Sequence, residues 1–152
     1  MPLRTLDEVY RARRSIERVR HVSDRLIGVG PFGVGLDGLL GWIPGFGAVY
    51  SIGAGGFLLF HGARVRAPLS VLAQVAVLIG ANTLSNFVPT AGGLVDMLFT
   101  AHKWSANLLL RHMDNTLYVE GERREAERSP EYRALMEQVR AGQERRRIVF
   151  LS

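Results

Sequence analysis

The 152-residue chain has no cysteine. That excludes disulfides, thiolate nucleophiles and thiolate metal sites, and leaves the redox compartment open. Charge is missing from two long stretches. Between Leu26 and Phe60 the only charged residue is Asp37, and between Ala67 and Ala101 the only one is Asp96. Apart from Arg64 and Arg66, which lie between these blocks, all other charge is in the flanks. Soluble helices usually keep a wet, charged face, so this segregation outweighs an ordinary 47% hydrophobic content and a mean hydropathy of +0.09. No secretory signal is expected either. The first 25 residues carry seven arginines and four acids, too long and too mixed for a signal-peptide n-region, and the N-terminus is expected to be retained.

Three regions follow. Residues 1–25 read as a basic amphipathic helix. Thr5-Leu6-Asp7-Glu8 has the form of a capping box, and Leu6, Val9, Tyr10, Ile16 and Val19 recur roughly at helical spacing. This helix either lies on a membrane surface or packs on its own domain. Residues 26–113 form a glycine-rich apolar domain. Residues 114–152 are a charged tail with a short helix from Ser129-Pro130-Glu131, proline being favoured at the first helical position. The closing run Ile148-Val149-Phe150-Leu151 is expected to be solvated and partly frayed.

Within the apolar domain, Pro44, Gly45 and Gly47 break the chain once, and Pro89, Gly92 and Gly93 break it again. About 18 mostly apolar residues from Ala48 to Val65 and 19 uncharged ones from Leu69 to Phe87 are near the length a spanning helix needs. On the first, Gly47, Ser51 and Gly55 form an i, i+4, i+8 ridge; on the second, Ala76 and Gly80 are a small pair. Such positions allow close helix approach in lipid. Leu94 to Met113 carries a polar stripe of Asp96, Thr100, Lys103 and Asn107, which suits an interface or a polar cavity.

The two breaks are related by an offset of 45 residues: Pro44 aligns with Pro89, Trp42 with Phe87, Gly47 with Gly92 and Asp37 with Asn82. This suggests a duplicated helix–break–helix unit, about 34–66 and 79–112. The run Gly35-Leu36-Asp37-Gly38-Leu39-Leu40-Gly41-Trp42-Ile43-Pro44-Gly45-Phe46-Gly47, with Pro89-Thr90-Ala91-Gly92-Gly93-Leu94-Val95-Asp96, resembles the signature of the domain of unknown function 4112 family. The resemblance covers roughly residues 24–112. It implies a small helical domain, often predicted to be membrane-embedded, with no established activity. The family pattern typically has Asp after the glycine of each break, where this chain has Ala48 and Gly93; it favours asparagines after the second break, where this chain has His102 and Ser105.

Other chemistry is not encoded. Gly28-Val29-Gly30-Pro31-Phe32-Gly33 matches a dinucleotide-binding spacing, but no strand precedes it and Pro31 spoils the helix start. The four histidines lack metal-ligand spacing, and no nucleophile elbow is readable. The arginine-rich flanks have no interleaved aromatics for stacking nucleic acid. No enzyme, cofactor, metal, nucleic-acid partner or small-molecule substrate is therefore expected.

The expectation is an all-α membrane hairpin with two broken repeats and flanking amphipathic helices. Its partner is the bilayer, it self-associates through the small-residue ridges, and it serves as a structural or interaction module. A small transporter or channel and a soluble domain with buried apolar helices are the alternatives. Seven arginines before the apolar domain, two in the turn and ten basic residues after Ala101 orient it as a two-pass protein with both termini cytoplasmic and the turn outside. A carboxylate at mid-bilayer costs about 2.5–3.5 kcal/mol, so Asp37 and Asp96 belong near an interface. Asp37, Asn82, Asp96, Lys103 and Asn107 form the candidate polar site, and capping of the broken helix ends is the simpler account of the two acids. Asp96→Ala separates these roles: the expected outcome is a lower melting temperature with ion flux into liposomes unchanged, whereas a changed flux at unchanged stability points to a polar path.

Overall fold

The computed structural model describes residues 3–27, 46–85 and 94–151. They form helices α1 (Leu6–Ile27), α2 (Phe46–Arg64), α3 (Leu69–Ser85) and α4 (Leu94–Asp114), strand β1 (Thr116–Glu120), the short helix α5 (Arg123–Ala126), helix α6 (Pro130–Arg140) and strand β2 (Arg147–Leu151). The protein is thus mostly helical, with a small sheet that the all-α expectation lacked.

Helix α1 starts as its capping box predicts. Glu8 N–H donates to Thr5 Oγ1 at 3.3 Å, and Glu8 Oε2 accepts from the backbone of Thr5 at 3.4 Å and Arg4 at 2.7 Å. These bonds satisfy donors that the first turn leaves open and hold the Glu8 carboxyl below its ordinary pKa, the Arg4 N–H contributing most. The buried stripe is Val9, Ala12, Ile16 and Ser23, with Val19 partly buried. Leu6 and Tyr10 point outward instead, because the stripe is centred one position away from them. Helix α1 packs chiefly along α4.

Helices α2 and α3 are antiparallel neighbours. A methyl group at Gly55 would sit 2.5 Å from Ile79 Cγ2, and one at Gly62 would sit 2.8 Å from Leu72 Cδ2 and 2.9 Å from Leu109 Cδ2. Seven residues up one helix match seven down the other, which sets the register. These two glycines let α2 approach α3 and α4 closely. The space over Gly80 is open and Ala76 is exposed, so neither packs tightly against another helix among the described residues. Gly47 and Ser51 lie in α2 with side chains outside the described set, and the breaks at Pro44, Gly45, Pro89, Gly92 and Gly93 lie outside the described residues. So does the first arm of the expected repeat. Leu58, Val65, Val75, Ile79, Ala106, Leu109 and Met113 join the α1 stripe in one core.

The sheet is parallel, with Thr116 opposite Arg147 and Glu120 opposite Leu151; helices α5 and α6 form the crossover that parallel strands require. Ser129 Oγ accepts from Tyr132 N–H at 3.1 Å with Pro130 beside it, so α6 begins where the sequence places it. The run Ile148–Leu151 is not a frayed tail: Val149 and Leu151 are buried, and Leu151 belongs to the main core.

No helix among the described residues is long and apolar enough to cross a membrane. The spans expected over Ala48–Val65 and Leu69–Phe87 become helices of 19 and 17 residues. Gly55→Ala is expected to lower stability by about 1–3 kcal/mol through overpacking against Ile79, while Gly80→Ala is neutral or raises it by up to about 1 kcal/mol through helix propensity. Denaturant midpoints of the two variants provide the check.

Candidate functional site

Two features stand out: a bonded, charged end of the bundle, and an uncharged outer face on the α2–α3 hairpin.

The charged end is built on the turn after α2. Ala67 N–H donates to Gly62 O at 3.0 Å and Arg66 N–H to Ala63 O at 3.1 Å, the paired bonds of a Schellman motif. The position that glycine usually takes there is Arg66, with φ of 56°, a conformation that costs a side-chain-bearing residue roughly 1–2 kcal/mol. Contacts to the sheet hold it. Arg66 Nη1 donates to Phe150 O at 2.5 Å, Arg147 Nη1 donates to Arg66 O at 3.2 Å, and Tyr118 Oη donates to Val65 O at 3.0 Å. Burial pushes the Tyr118 phenol up to about 12 despite nearby Arg147. Burial first, and Arg147 second, hold the His112 imidazole below its ordinary pKa.

The start of α1 reaches the same end. Leu6 N–H donates to Glu120 Oε1 at 2.6 Å, and Arg13 pairs with Asp114 at 2.6 Å and with Glu17 at 3.0 Å. A cleft of about 300 Å³ lies here, lined by Tyr10, Arg13, Thr116, Tyr118 and Arg146 among others. The start of α1, the α2–α3 turn, the end of α4 and the sheet therefore share one end of the bundle. Three hydrogen bonds join the turn to the C-terminal segment.

The outer face of the hairpin is the second feature. On α2, Ile52, Gly53, Gly56, Phe57, Phe60 and Ala63 are exposed; on α3, Leu69, Ser70, Ala73, Gln74, Ala76, Val77 and Ala81 are. None is charged. Ile52 is 63% exposed, Phe60 54%, Leu69 81% and Val77 69%, values normally found for polar side chains. Arginines border the face. Arg64 lies 5.6 Å from the Phe60 ring centroid, Arg66 follows in the turn, and Arg18 lines an open groove of about 570 Å³ between α1 and α2 with Val22, Gly53 and Phe57.

The expected polar site is only partly within view. Asp37 lies outside the described residues; Asn82 and Asp96 lie in α3 and α4, with side chains outside the described set. Lys103 and Asn107 are half-buried on α4. Asn107 lines an open cavity of about 340 Å³ with Leu78, Trp104, Leu108 and Arg111. Among the described residues no group of three or more His, Asp or Glu side chains is placed to hold a metal ion. His61 is buried between Phe57 and Phe60, with ring centroids 4.3 and 5.5 Å away, and its Nδ1 lacks a partner among the described residues. Sequence reading missed the roles of Tyr118, Arg66 and Arg147. The readable signals were the strand-forming run Thr116-Leu117-Tyr118-Val119 and a proline two residues after Arg66.

The family model described as "Domain of unknown function (DUF4112)" matches residues 12–113. The chain belongs to this family. The match runs from α1 to the end of α4, so it takes in most of the helical bundle while the sheet and α6 lie beyond it. No curated protein and no solved structure matches the chain.

Tyr118→Phe is expected to cost about 1 kcal/mol by leaving the Val65 carbonyl without this donor, with faster amide exchange at residues 65–72 as the direct readout. The raised phenol pKa stabilises the fold fully below pH 10, and this contribution is lost as pH rises from 10 towards about 12. The variant lacks that part of the alkaline stability loss.

Proposed function

We propose that this protein is a structural or interaction module of a membrane, not an enzyme, and that the α2–α3 hairpin is its membrane-facing element. One observation carries the reading: the hairpin's outer face is apolar and uncharged along both helices. A helix apolar on all sides belongs inside a protein core or in lipid, and large exposed apolar patches mark interaction or membrane surfaces. Burying Ile52, Phe60, Leu69 and Val77 contributes about 1.5–3 kcal/mol for each side chain fully removed from water, enough together for stable attachment. Self-association through the same surface is part of the proposal, because Ala76 and the open Gly80 leave room for a second helix.

The soluble alternative draws on the absence, among the described residues, of any helix long and apolar enough to cross a bilayer. Fractionation separates the two. The full chain is expected in the membrane pellet and to resist a carbonate wash, and the double variant Phe60→Glu, Val77→Glu is expected in the supernatant with helical content retained. Quantitative release of the wild type by carbonate would favour the soluble domain.

A further inference from the structure

We propose, resting on the membrane reading above, that the hairpin lies flat in one leaflet and that its bordering arginines select anionic lipid headgroups. Flat seating follows from what travels with the hairpin. Helix α1 packs along α4 and carries exposed Arg11, Arg14 and Arg18 over its length. An upright bundle would draw these side chains to bilayer depth, where each arginine weakens partitioning by roughly a hundredfold. It would also part the turn from an aqueous sheet, although Arg66 bonds to Phe150 O and Tyr118 to Val65 O. With the helices in the membrane plane, Ile52, Phe60, Leu69 and Val77 enter the acyl region while the basic face of α1 and the sheet stay in water. Interfacial helices take this posture.

Charge complementarity names the lipid. Arg64 sits beside Phe60 at the edge of the apolar face, Arg66 and Arg147 meet at the turn, and Arg18 lies where α1 borders Phe57. Long arginine stems let the guanidinium groups stay at headgroup depth while the aromatic rings sit deeper. The source is a bilayer surface and not a free phosphate, because the cations border an apolar face too wide for a small ion to cover.

Depth measurement tests the seat. The full chain lacks cysteine, so Leu69→Cys and Ala81→Cys, both exposed on α3, can each carry one fluorophore. They are twelve residues apart, about 18 Å along a helix axis. In vesicles of phosphatidylcholine and phosphatidylglycerol containing nitroxide lipids at known depths, the two sites are expected at the same shallow depth. A depth difference approaching 18 Å overturns flat seating while leaving membrane attachment intact. Binding is expected to be at least roughly tenfold tighter to these vesicles than to pure phosphatidylcholine and to weaken with salt; equal binding to both overturns the arginine role. Failure to bind either vesicle overturns the proposal. If the protein still resists carbonate in native membranes, that failure belongs to the flat anionic seat and not to the membrane reading.

Discussion

The turn between α2 and α3 governs how the rest of this protein can be arranged. Its carbonyls at Val65 and Arg66 accept from Tyr118 and Arg147, and the Arg66 guanidinium reaches the Phe150 carbonyl. Those donors and acceptors come from both strands of the sheet, so an apolar hairpin is fastened to the charged C-terminal segment. The strain of a left-handed arginine is tolerated because its side chain is anchored there. A glycine would adopt the backbone more easily and would lose the anchor.

Fastening the turn decides which surfaces are wet. Helix α1 brings its arginines along α4, and the sheet closes the end of the bundle near the start of α1 through Leu6 and Glu120. The outward side of the hairpin stays exposed, and no charged side chain is found on it among the described residues. The protein thus has a charged end and an apolar flank on one compact set of helices. That combination is the basis for reading it as a module that sits against a membrane instead of threading through it. The family match over residues 12–113 takes in most of the helical bundle, and the sheet lies beyond it.

Much of the local structure was legible. The capping box at Thr5–Glu8 and the Ser129-Pro130 start both form as written, because such caps depend on neighbours within a few residues. The two apolar helices were likewise visible as long uncharged runs bounded by proline and glycine breaks. Less legible were roles set by partners far away. Gly55 was named as a packing residue, but nothing in the sequence distinguishes it from Gly80; one faces Ile79 and the other open space. The strands were missed because each is five residues long, and their pairing joins segments separated by two helices.

By itself the sequence determined the mostly helical character, the starts of α1 and α6, the segregation of charge from two apolar blocks, and the family to which the chain belongs. These follow from short-range chemistry: caps, periodicity, breaks and composition. Only the tertiary structure decided that α1 covers α4, that residues 148–151 form a strand, and that the hairpin turn shares an end with the C-terminal segment. The physical reason is that packing register and hydrogen bonds across 53 to 84 residues of chain depend on which surfaces meet. Local sequence signals do not encode that choice.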